Sequence, residues 1–123
     1  MSHFSSRTAV FATAAAMAVG LSLPAAAANP AYVGKWATSA KACKLPSDTL
    51  DAPVVMSRLA YNQFETHCDF KTLKKSGAAW KAKVVCLVEG AKEKDTMTIT
   101  ASATKMSIRW GLFPTPLRYV RCK

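Results

Sequence analysis

Apolar and polar side chains alternate with a period of two along much of the second half of the chain. The clearest runs are residues 80–88, 96–101 and 106–110, in which every second side chain is apolar. Successive side chains of a β-strand point to opposite faces, so this alternation is typical of strands with one buried and one solvated face. Helical periodicity is scarce. The pattern therefore predicts an antiparallel sheet.

Shorter strand candidates lie at residues 32–37, 53–59, 64–71 and 117–122, separated by turn signals such as Lys75-Ser76-Gly77 and the charged run 89–95. About seven strands result, and the long loop over residues 39–52 has room for a short helix. A sheet of closely spaced strands usually closes to remove its exposed edges. We therefore expect an all-β fold: a small antiparallel meander that closes into a barrel or barrel-like sandwich.

The first 28 residues have the three zones of a secretory signal peptide. Arg7 is their only Lys or Arg, an apolar run spans residues 9–23, and Pro24 precedes four alanines that end at Ala28. The apolar run is shorter than the ~20 residues that a membrane-spanning helix needs. We predict a cleavable signal over residues 1–28 and a single domain over 29–123. That domain is expected in the bacterial periplasm or outside the cell, with no transmembrane segment in the mature chain.

All four cysteines lie in the predicted domain: Cys43, Cys68, Cys86 and Cys122. An even number of cysteines in a small exported domain indicates two disulfides rather than a metal or redox site. Centring a hairpin turn on Gly77 places Cys68 opposite Cys86. Directly opposed β-carbons lie ~4.5–5.5 Å apart, however, and a disulfide prefers ~3.8 Å. The preferred pairing is therefore Cys43–Cys68 with Cys86–Cys122, and the other two pairings stay open.

Positive charge dominates the chain, with 17 Lys and Arg against 7 Asp and Glu and a net charge of +10. Such an excess attracts anionic surfaces. The expected partner is an anionic envelope component, either a lipid headgroup, lipopolysaccharide or an acidic glycan, or else a protein target. No specific recognition of nucleic acid is expected. The alternative is a basic surface that only maintains solubility.

Five lysines are concentrated in a stretch of 13 residues without an acid: Lys71, Lys74, Lys75, Lys81 and Lys83. In the register centred on Gly77, Lys71 faces Lys83 directly, and opposed like charges destabilise a sheet. An anionic partner would relieve that repulsion, so these lysines are predicted to bind it. A solvated hairpin that prevents edge aggregation is the alternative. A second basic group lies near the C-terminus: Arg109, Arg118, Arg121 and Lys123.

Gly34-Lys35-Trp36 opens the first predicted strand, and the last carries Arg118 and Arg121. This resembles a reduced form of the calycin pattern of lipocalin-like barrels, in which the Trp of a Gly-x-Trp packs against an arginine from the far end of the chain. The resemblance implies that Gly34, Trp36 and Arg121 close the barrel. The overall layout, with Glu-x-x-Cys at Cys68 and Cys-x-x-Glu-Gly after Cys86, also resembles small disulfide-containing periplasmic proteins of proteobacteria. That likeness implies location and fold, and no activity.

Residues 111–116 form an apolar loop between the last two predicted strands. Such a loop at a barrel end serves as a lid or partner contact, or else fills the barrel end as core.

No catalytic constellation stands out in the sequence. Glu65, His67 and Asp69 share one strand face, but His67 is the only histidine of the predicted domain. Zinc sites use three or four ligands, mostly His or Cys. We therefore predict no catalytic residue, metal or cofactor. The sequence favours a non-catalytic binding or accessory protein. The alternatives are an inhibitor of a hydrolase, either a protease or a glycan hydrolase, and a carrier of small apolar ligands inside the barrel.

Overall fold

Eight antiparallel strands form a closed barrel, which confirms the all-β prediction and its barrel form. The structure is a computed structural model that describes residues 12–16, 20 and 28–123, so most of the predicted signal peptide lies outside the described residues. Each strand pairs with the next along the chain, and β1 pairs with β8 to complete the barrel.

The central hairpins are long, because β4, β5 and β6 have 10 or 11 residues each and the other strands have 4 to 6. A single 3-10 turn, Ala42–Lys44, occupies the long loop after β1. No helix in the described part of the chain is long and apolar enough to cross a membrane. The strands are β1 Gly34–Ala37, β2 Val54–Ser57, β3 Ala60–Gln63, β4 Thr66–Ser76, β5 Ala79–Val88, β6 Ala91–Ala101, β7 Lys105–Trp110 and β8 Leu117–Arg121.

The core is built by the apolar side chains of the alternating runs. Burial follows the period of two along β5, β6 and β7, as the sequence pattern predicts. Met97, Ile99 and Ile108 are almost fully buried. Trp80 is only partly buried, at the edge of the core, where its ring meets that of Tyr32 edge-on with centroids 5.2 Å apart. These side chains belong to one hydrophobic cluster inside the barrel.

Two segments differ from their sequence-based prediction. The strand expected at residues 53–59 ends at Ser57, because Arg58 and Leu59 form a tight turn that has no Gly, Pro or Asn to mark it. A further strand, β3, follows at Ala60–Gln63, where the sequence predicts none. The charged run 89–95, expected to be a turn, lies mostly in β6. The residues of β6 before Met97 pair with β5 and not with β7, so they form a free sheet edge. Charged side chains at such an edge disfavour pairing with another chain.

The disulfides join Cys43 to Cys122 and Cys68 to Cys86, so the preferred pairing from the sequence is wrong. Cys68 lies opposite Cys86 in the register that centring the turn on Gly77 predicts. Their Cα atoms are 3.9 Å apart, closer than the ~4.5 Å of an ordinary narrow pair, so the opposed sulfurs can bond. The Cys43–Cys122 bond fastens the loop after β1 to the end of β8.

Candidate anion-binding face

The lysines of the β4–β5 hairpin lie in a register that a bulge has shifted. Lys71 is an extra residue between the pairs Phe70–Val84 and Thr72–Lys83. The predicted opposition of Lys71 and Lys83 is therefore wrong. Lys74 and Lys81 are the like charges that face each other across the two strands. A β-bulge adds one residue to one strand and shifts every pair beyond it.

Arg109 joins the hairpin lysines in a line across four strands. Lys81 lies opposite Thr98 of β6, and Thr98 lies opposite Arg109 of β7. Lys83 lies one outward position further along β5, between Thr72 and Thr96. Lys74, Lys81, Lys83 and Arg109 are all exposed, and we call these four residues the cationic face. They border a shallow groove of about 410 Å³, which Thr72, Thr96 and Thr98 also line.

None of the four cations of this face lies within 4.0 Å of a carboxylate oxygen of the described residues. Within residues 12–16, 20 and 28–123, the one contact of this length between a basic and an acidic side chain joins His67 to Asp69. Four positive charges with threonine hydroxyls between them can bind a phosphate or a carboxylate group. The cations would donate hydrogen bonds to its oxygens, and hydrogen bonds between ionised groups are stronger than those between neutral groups.

The other two predicted lysines are placed differently. The ammonium group of Lys75 lies 5.2 Å from the centroid of the Trp80 ring, a cation–π contact on the opposite side of the strand from Lys74. Lys71 lines a neighbouring groove together with Lys83. The structure thus brings three of the five predicted lysines together with Arg109.

Comparison of the chain with protein-family models, with known proteins and with solved structures found no match. The resemblance to calycins stays an expectation.

Gly34, Trp36 and Arg121 meet where the last strand closes against the first. The Arg121 guanidinium lies 4.2 Å over the ring of buried Trp36. It also donates hydrogen bonds of 2.5–2.9 Å to the carbonyl oxygens of Ala31, Val33 and Ala103. These bonds join the segment before β1 to the turn between β6 and β7. Arg121 is therefore a structural residue rather than part of a second basic surface.

Gly34 is required at its position for two reasons. Its φ of 143° is one that residues with a β-carbon rarely adopt. A β-carbon built on Gly34 would also overlap Nη1 of Arg121.

His67 lies between Asn62 and Asp69 on the outside of the barrel. Its Nδ1 pairs with Oδ1 of Asn62, and its Nε2 lies 2.9 Å from Oδ1 of Asp69. The part of the chain that the structure describes has no group of three or more His, Cys, Asp or Glu that could hold a metal ion.

Tyr61, Trp110 and Tyr119 form an aromatic cluster inside the barrel. The Tyr61 and Trp110 rings meet edge-on with centroids 5.2 Å apart, and the Tyr61 hydroxyl donates to Oε1 of Gln63 at 3.0 Å. Burial, and then the neighbouring Tyr119, raises the pKa of Tyr61 well above its ordinary value. Burial also raises the pKa of Tyr119. Ionisation of either tyrosine hydroxyl is therefore less favourable in the folded barrel than in water.

Sequence reasoning missed Arg109 as a member of the cationic face. Arg109 alternates with the apolar residues Met106, Ile108 and Trp110 along β7. This alternation is the sequence signal that Arg109 faces outward. The pairing of β7 with β6, which brings Arg109 within two strands of Lys81, is a tertiary fact.

Proposed function

We propose that this protein is an exported, non-catalytic binding or accessory protein whose outer surface over β4–β7 binds an anionic component of the periplasm or envelope. One observation carries the proposal: four exposed cations from three strands border one threonine-lined groove with no carboxylate partner among the described residues.

Two further features support this proposal. Opposed like charges cost a sheet a few tenths of a kcal/mol, so the Lys74–Lys81 pair is explained by a partner that neutralises it. Two disulfides are typical of proteins that work in oxidising compartments outside the cytoplasm. The partner class is defined by accessible phosphate or carboxylate groups, as in lipid headgroups, lipopolysaccharide and acidic glycans. The hydrolase-inhibitor and apolar-carrier alternatives stay predictions.

The experiment compares two variants of equal net charge. One changes the cationic face to glutamine at Lys74, Lys81, Lys83 and Arg109. The matched control changes four cations that lie on other parts of the surface: Lys35, Lys41, Lys44 and Lys123. Binding is measured by cosedimentation with vesicles rich in anionic phospholipid and with lipopolysaccharide, at low and at high salt.

The wild-type protein should bind in a salt-sensitive way, because exposed charges are screened over ~10 Å at 0.1 M salt. Each cation near an anionic membrane contributes about 1 kcal/mol, so loss of the cationic face should weaken binding roughly 100- to 1000-fold. The control should weaken binding far less. Equal loss in the two variants would show that net charge alone drives binding, and the proposal would be wrong.

A further inference from the structure

The loop between β7 and β8 exposes apolar side chains directly beside the cationic face. Leu112 is fully exposed at 102% and Phe113 is 70% exposed, although both are large hydrophobic residues. Neither side chain fills the barrel end, so the core interpretation of this loop is wrong. Apolar side chains exposed together next to charged groups mark sites of interaction.

Local backbone contacts fix the position of this loop. The Gly111 N–H donates to the carbonyl oxygen of Thr96 at 2.8 Å, and the Phe113 N–H donates to that of Trp110 at 3.0 Å. Gly111 has a φ of 46°, and a β-carbon there would lie 2.8 Å from Oδ1 of Asp95. The loop therefore leaves the sheet tightly against β6, and Pro114 and Pro116 restrict the backbone of its second half.

Leu112 and Phe113 form one wall of an open groove of about 760 Å³ that crosses β4, β5 and β6. The outward-facing Val85 lies in this groove, and Lys71, Lys83 and Lys94 also line it. We call it the apolar groove. Its volume lies within the range of small-molecule sites. Its one carboxylate, Asp95, accepts the Thr96 N–H at 2.7 Å and lies against Gly111.

The apolar groove and the groove of the cationic face adjoin each other. Lys83, Thr96 and Gly111 line both of them. An extended ligand can therefore place an anionic head among Lys74, Lys81 and Arg109 and lay an apolar tail along Val85, Leu112 and Phe113.

We infer that the protein binds an anionic amphiphile one molecule at a time, with its phosphate or carboxylate head on the cationic face and its acyl chain in the apolar groove. This inference rests on the proposed function and specifies the chemistry of the partner. Charge complementarity determines the head, because Lys83 lines both grooves and Lys74, Lys81 and Arg109 line the groove of the cationic face. The apolar wall determines the tail.

The test is calorimetric titration of the purified, oxidised protein with octyl, decyl and dodecyl phosphate, each below its micelle concentration. Full burial of a methylene is worth ~0.8 kcal/mol, which is about fourfold in Kd. An open groove buries part of the chain, so we expect about twofold per methylene, and roughly 10- to 20-fold between octyl and dodecyl phosphate. Dodecyl maltoside, which has an uncharged head, should bind at least about tenfold more weakly than dodecyl phosphate.

A double variant, L112S/F113S, should reduce the octyl-to-dodecyl difference to less than about threefold. The matched control, L50S/L59S, changes two leucines that are also exposed, at 80% and 56%, but do not line either groove. It should keep the wild-type dependence on chain length. Thermal unfolding of each variant verifies that the fold is intact.

The inference is overturned if chain length has no effect on the wild-type protein, or if L112S/F113S keeps the full effect. The proposed function survives that outcome when vesicle binding still depends on the cationic face. If the glutamine variant of the cationic face binds dodecyl phosphate and anionic vesicles as the wild type does, the proposed function itself fails. Binding to vesicles alone, without binding of any single alkyl phosphate, would show a membrane-surface contact and would also overturn the inference.

Discussion

Replacement of Arg121 by alanine should destabilise the barrel more than replacement of any exposed lysine or arginine. The guanidinium stacks on Trp36 and bonds three backbone carbonyls from two separate segments. The cation–π contact is worth about 1 kcal/mol. Each charge-assisted hydrogen bond at this partly buried position is worth about 1 kcal/mol more. The free energy of unfolding should therefore fall by about 4 kcal/mol.

That loss is large for a domain of this size, whose total stability is of the order of 5–14 kcal/mol. It corresponds to a fall in Tm of roughly 20 °C. Arg121→Lys should lose about half as much, because an ammonium group keeps the charge but cannot reach three carbonyls at once. Arg118→Ala, in an exposed residue of the same strand, should cost less than about 0.5 kcal/mol.

A double-mutant cycle with Gly34 separates the two roles of that glycine. Gly34→Ala should cost about 1–3 kcal/mol from its backbone conformation alone, and more because the new methyl group displaces Nη1 of Arg121. The second cost disappears in the Arg121→Ala background. The double variant should therefore be more stable than additivity predicts, by about 1–2 kcal/mol.

Urea denaturation of the oxidised protein measures all of these variants. Two results would refute the reasoning: a cost of Arg121→Ala no greater than that of Arg118→Ala, or a strictly additive cycle. The first would show that the guanidinium contacts contribute nothing net. The second would show that Gly34 and Arg121 do not interact.

Three further predictions concern the disulfides, the buried tyrosines and the cationic face. Removal of the Cys43–Cys122 bond should lower the free energy of unfolding by about 4.5 kcal/mol, and removal of Cys68–Cys86 by about 3 kcal/mol, because the two bonds close loops with separations of 79 and 18 residues. Urea denaturation that gives the reverse order would contradict this chain-entropy argument. Folding raises the pKa of Tyr61, so the stability that its protonated hydroxyl contributes is complete below pH ~10 and is lost as the pH rises further, by up to ~1.4 kcal/mol per pH unit. Tyr61→Phe should therefore flatten the alkaline fall in the free energy of unfolding, and an unchanged slope would contradict this. Lys74→Glu should raise the free energy of unfolding by about 0.5 kcal/mol, by giving Lys81 an opposite charge, and should weaken binding to anionic vesicles; a less stable variant would contradict the proposed repulsion.

The sequence by itself determined which faces of the strands are buried. The alternation of residues 80–88, 96–101 and 106–110 is a local property of the sequence. Burial of apolar surface turns the apolar face of each strand toward the core, whichever strands become its neighbours. A small sheet with many strands and no room for a second layer then closes on itself.

Only the tertiary structure decided how these faces combine. The turn of the β4–β5 hairpin pairs Ser76 with Ala79 and so places Lys74 opposite Lys81. The bulge at Lys71, which has no local sequence signal, then restores the register in which Cys68 faces Cys86. The Cys43–Cys122 bond joins positions 79 residues apart, a proximity created by the closure of β8 on β1. Arg109 reaches the lysines through the successive pairing of β5, β6 and β7, whose registers depend on contacts along both strands of each pair. The local pattern therefore selects the class of fold, and the pairing of β4 to β7 assembles the candidate site.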